Sequence, residues 1–152
     1  MGIAILLHTL SAVVWVGGLF FALVCLRPAA AELEASARLK LWAGALQRFF
    51  RWVWLASALL LVSGLWMIFA VLGGMREIGP NVQIMMGTGI LMMLLAGHTW
   101  FAPLRRLRLA VAESHWSDAG RRLNQVRLFL GIQLVLGLIV VAIASGGRYY
   151  LR

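Results

Sequence analysis

Acidic residues are scarce in this chain: five aspartates and glutamates against fourteen lysines and arginines in 152 residues. Each of them, Glu32, Glu34, Glu77, Glu113 and Asp118, falls outside the apolar runs or at their edges. That placement leaves no paired carboxylate for acid–base hydrolysis and no intramembrane carboxylate for a proton-coupled pump. A single cysteine, Cys25, excludes an intramolecular disulfide and any Cys-x-x-Cys redox or zinc motif. There is no Gly-rich phosphate loop and no nucleophile with a base at workable spacing, so no catalytic residue is assigned and the chain reads as leaning away from an enzyme. Nor is there a polar stretch long enough to form a soluble domain.

What the chain has is apolar length. Hydrophobic residues make up 62% and charged residues 12%, with a mean hydropathy of +0.91. Four runs, at about 2–26, 52–73, 83–102 and 128–147, are long enough to cross a hydrocarbon layer of about 30 Å as helices. The first has no basic residues ahead of it, so it reads as a retained helix and not a cleaved signal. Short connections between four spans predict an all-α, up-and-down antiparallel bundle forming one membrane module over 1–152.

The basic residues set an expected orientation. Arg27, Arg38, Lys40, Arg48 and Arg51 lie between spans one and two, and Arg105, Arg106, Arg108, Arg121, Arg122 and Arg127 between spans three and four. The opposite side has only Arg76, Arg148 and Arg152. This asymmetry puts both basic connections in the cytoplasm and both termini outside. The net charge of +9 is then a topology signal with the bilayer as partner, and not a nucleic-acid footprint.

Smaller features give local expectations. Pro28 and Pro103 mark the cytoplasmic ends of spans one and three. Ser117 is the expected N-cap of a helix running from Ala119 into span four. The outer connection, Gly73–Gln83, makes spans two and three antiparallel neighbours, and Gly87, Gly131 and Gly137 allow close helix approach within or between subunits. Trp52, Trp54 and Trp100 suit one membrane interface and Trp66 the other.

Two histidines lie inside the spans. His8, Ser11, Trp15, Gly18 and Ala22 recur at helical spacing and form one face of span one, which is expected to point into the bundle. Counted from the outer ends, Met67, Met85, Met86 and Met92 share the outer half with His8. Imidazole with thioethers is a soft donor set suited to Cu(I), whereas methionines at this spacing also serve as ordinary packing residues. His98 lies deeper, where a hydrogen bond to Gln133 would satisfy both side chains. A haem held by His8 and His98 together would have to bridge a depth offset of about 13 Å, so a haem on His8 alone is the simpler form of that alternative.

Several motifs carry a family resemblance. His8 followed by "WVGGLFF" and "LRPA", then "RFFRWVWLASALLLVSG" at 48–64, "HTWFAPLRRLR" at 98–108 and "QVRLFLGIQLVLGLIVVAIASGGRY" at 125–149, resembles the CopD family of bacterial inner-membrane proteins. The resemblance implies a four-helix module in the inner membrane concerned with copper binding, uptake or tolerance. Longer members work with a small periplasmic copper-binding protein, and this chain is similar to their module alone. The first motif is also similar to the HemJ-like group, which implies haem b as the alternative ligand.

Overall fold

The computed structural model describes residues 2–150, with side chains through Gly146. Arg152 and the side chain of Arg148, two of the three basic groups expected on the far side, lie outside the described residues. Helix α1 spans Gly2–Phe20 and runs through a π-helical turn, Phe21–Leu26, into α2, Arg27–Ala31. Helix α3 spans Ala35–Ala70 and α4 spans Pro80–Thr99. A second π turn, Trp100–Leu104, leads into α5, Arg105–Ala112, and α6 runs Trp116–Tyr150. Among the described residues there is no strand. In lipid the backbone must satisfy its own hydrogen bonds, and continuous helix does so residue by residue.

Four of these helical stretches are long and apolar enough to cross a membrane, so the chain is a multi-pass membrane protein. They alternate in direction, which puts the start of α1 and the far end of α6 at one end of the bundle (the terminal end). The two arginine-rich connections lie at the other, the basic end. Helix α1 packs on α3 and α6, α4 packs chiefly on α6, and α3 also touches α6. Helices α1 and α4 occupy opposite corners, with no pair of their Cα atoms within 8 Å.

At 36 residues, α3 is about 54 Å long, well beyond the hydrocarbon thickness. Its first turns leave the membrane at the basic end and pack there with α2, α5 and the start of α6. Trp42, Leu46, Leu104, Leu107, Ala119, Leu123 and Val126 are all within 2% of complete burial. By contrast, much of the apolar surface of the spans faces outward, as at Val13, Val62, Leu94 and Leu128. Lipid tails are as apolar as leucine, so outward-facing apolar side chains carry no penalty in a bilayer.

The predicted boundaries shift in two places. Pro28 and Pro103 do not end their helices: each is preceded by or sits within a π turn, and the helix continues as α2 or α5. Proline lacks the amide donor and its ring crowds the carbonyl four residues back, and a wider i→i+5 turn relieves both problems without a break. Helix α6 begins at Trp116, ahead of the expected start at Ala119, and Ser117 is not its cap. The chain reverses earlier, where Ser114 takes φ 56° and the amides of Ser114 and His115 bond to the carbonyls of Val111 and Ala110. That pair of bonds is a Schellman closure, which satisfies the last carbonyls of α5.

Candidate functional site

His8 lies one turn above the buried start of the α1 face. Ser11, Trp15 and Ala22 are buried, while Val13 and Phe20 are exposed, so the face read from the spacing is the one packed into the bundle. Gly18 allows close contact with α3: a Cβ there would collide with the ring of Phe49. Opposite His8 on α3 are Ser63 and Gly64. A Cβ at Gly64 would sit 3.3 Å from His8 Cε1, so the glycine provides the space in which the imidazole lies against α3.

The hydrogen bonds around His8 assign its tautomer. His8 Nδ1 is 2.9 Å from Ser63 Oγ. The Ser63 hydroxyl donates its one proton to the Leu59 carbonyl, with Leu60 as a longer second acceptor at 3.4 Å. Ser63 Oγ is therefore an acceptor toward the ring, and His8 Nδ1 carries the proton. In that tautomer the other nitrogen, Nε2, keeps its lone pair, and the Leu60 carbonyl of α3 also lies against the ring. A neutral imidazole with one nitrogen anchored through N–H and the other free is the form in which histidine binds metals. Sequence reasoning missed Ser63 and Gly64, although both lie in the quoted α3 motif. Nothing in the spacing of α3 alone says which of its faces meets His8.

The other proposed donors are spread over two helices. Met67 is half-buried and lies one turn beyond Ser63 on the same face of α3, toward the terminal end. Met92 is buried, and its methyl group meets Gly137 of α6 where Val16 of α1 also packs. Val16 is eight residues below His8, so Met92 sits about 12 Å deeper than His8, within a three-helix packing contact. Met85 and Met86 are half-buried and return to about the depth of His8, but no Cα atom of α4 lies within 8 Å of one in α1. Among the described residues no group of three or more His, Cys, Asp or Glu side chains forms a metal cluster.

His98 does not bond to Gln133. It is exposed, with its ring edge-on to Phe129 at 5.0 Å. Gln133 is completely buried and reaches Thr99 Oγ1 at 3.5 Å instead, and its own Oε1 has no partner among the described residues. Residues 98 and 99 project about 100° apart on the helix, so when Thr99 faces the core, His98 is turned away from it. Six residues from Met92 to His98, added to the eight from His8 to Val16, separate the two histidines by about 20 Å in depth. This geometry does not bring His8 and His98 to opposite faces of one haem.

A family model described as Copper resistance protein D matches residues 43–146, more than half of the chain. The matched stretch opens in α3 and closes near the end of α6, so Ser63, Gly64 and the methionines lie inside it and His8 lies outside. Comparison with curated proteins finds no match. Comparison with solved structures finds none either. On the family model the chain belongs to the copper resistance protein D family.

Proposed function

We propose that this membrane protein binds Cu(I) as cargo in the half of the bundle nearer the terminal end, with His8 Nε2 as the principal donor. The observation that carries the reading is the Ser63 contact, which favours the Nδ1–H tautomer and so leaves Nε2 its lone pair inside an apolar span. Met67 is the thioether best placed to join it, one turn away on the same face of α3. Met85 and Met86 share the depth of His8 across the bundle and would serve as an adjoining pair, while Met92 acts in packing. The family supports a role in copper tolerance or uptake.

In this reading the termini face the periplasm of the inner membrane, His8 opens toward that side, and a periplasmic copper-binding protein is the donor or acceptor of the ion. The test is a titration of the purified protein with Cu(I) against a chromophoric chelator. About one Cu(I) should bind, at least tenfold more weakly in His8→Ala and with a smaller loss in Met67→Leu. Unchanged binding in His8→Ala would overturn the assignment. A Soret band in the purified protein, abolished by the same substitution, would replace copper with haem.

A further inference from the structure

At the basic end, an open groove of about 730 Å³ runs between the α1–α2 turn and α6. Its mouth is formed by Arg27, Asn124 and Arg127, and its length by Leu128, Gly131 and Val135. The apolar part faces outward: Leu128 is 63% and Val135 58% exposed. These two residues are seven apart, so the apolar wall extends about 10 Å along the membrane-facing side of α6.

Arg127 is unusually placed for a cation. Its guanidinium lies 4.8 Å above the ring of Trp42, which is fully buried, and its Nε is shut off from solvent with no hydrogen-bond partner among the described residues. The positive charges of Arg27 and Arg38 act on it. Among the described residues, the ion pairs join Glu113 to His115 and Asp118 to Arg121 and Arg122, so no carboxylate pairs with Arg27, Arg38 or Arg127. A partly desolvated guanidinium without a counter-ion is costly unless an anion approaches it, and Trp42 already holds it in a fixed orientation. Arginine's planar donor fork suits a phosphate in particular.

We propose that this groove holds one anionic phospholipid, its phosphate between Arg27 and Arg127 and an acyl chain along Leu128, Gly131 and Val135. The apolar wall decides between a lipid and a free anion, because a free phosphate has no use for it. Gly131 is where the chain would pass: a Cβ built there meets nothing within 4 Å.

The test uses the full chain in phosphatidylcholine nanodiscs with a photoactivatable phosphatidylglycerol, followed by mapping of the labelled peptide. The segment from Leu128 to Leu136 should be labelled about tenfold more than by the matching phosphatidylcholine probe, and Arg27→Gln/Arg127→Gln should remove that excess. A charge-matched control, Arg106→Gln/Arg121→Gln, should keep it. Gly131→Leu retains both arginines and has room for its side chain, and it too should abolish the label. Equal labelling by both lipids, or equal loss in the two double variants, would reduce the site to a diffuse basic rim and overturn the proposal. Displacement of the probe by excess inorganic phosphate would make it a free-anion site, and persistence of the label in Gly131→Leu would likewise exclude a lipid in the groove.

Discussion

His8 could be singled out from sequence because an ionisable group inside an apolar run is expected to face the bundle interior, an expectation that His8 meets and the exposed His98 does not. Its partners could not, because α3 offers several small or polar residues and only the packing of α1 against it selects Ser63 and Gly64. The importance of that pair can be measured. Ser63→Ala should remove the Nδ1 acceptor and weaken Cu(I) binding about 10- to 100-fold, the usual effect of losing the partner that orients a ligating histidine. The same chelator competition would read it, and an unchanged affinity would mean that Ser63 does not orient the ring. Gln133 calls for the opposite expectation. Its oxygen is buried without a partner and its bond to Thr99 is long, while the Thr99 hydroxyl already donates to Leu95 at 2.7 Å. Gln133→Leu should therefore leave stability within about 1 kcal/mol of the starting protein or raise it, as seen in thermal unfolding in detergent. A large loss would point to a buried water or a partner satisfying the amide. The expected His98–Gln133 bond failed because the rotation of α4 buries Thr99 toward Gln133 and leaves His98, about 100° around the helix, exposed; the spacing alone does not fix that rotation.

Among the elements, the spans were legible because apolar length and charge distribution are properties of the chain itself. Their ends were not. Proline at a predicted boundary can stop a helix or be absorbed by a π turn, and α2 and α5 show the second outcome because both continue into the packed layer at the basic end. The turn between α5 and α6 was misplaced because Ser117 has the chemistry of a cap, whereas the reversal depends on Ser114 adopting a left-handed backbone. A non-glycine residue there is under strain, so Ser114→Gly should raise stability by about 0.5–1 kcal/mol, detectable as a higher unfolding temperature. No increase would mean that added freedom in the unfolded chain offsets the relief. Between α1 and α3 the sensitive point is Gly18. A leucine there has to displace the Phe49 ring, and Gly18→Leu should destabilise the bundle by about 1–3 kcal/mol. Gly87→Leu is the natural comparison, since a Cβ at Gly87 meets nothing within 4 Å and the change should be nearly silent unless that face contacts another subunit.

For the molecule as a whole, the arrangement divides labour between its two ends. The basic end holds the tightest packing, with Trp42 and Leu107 completely buried, and the terminal end carries His8 beside the small residues of α3. Antiparallel alternation follows from four spans, but which end faces the cytoplasm depends on arginines acting during insertion, which leave no trace in packing. The charge asymmetry nevertheless commits to an answer. Eleven basic residues flank the two long connections, and placing them in the periplasm would oppose the bias that orients bacterial membrane proteins. A phosphatase reporter fused after Arg152 should be active and a fluorescent reporter at the same point dark, with the reverse pattern for fusions between α5 and α6. If the C-terminal fusion reports from the cytoplasm, His8 opens to the cytoplasm as well. Copper capture from the periplasm through His8 and Met67 would then be untenable, although the hydrogen-bonded imidazole would keep its chemistry on the other side.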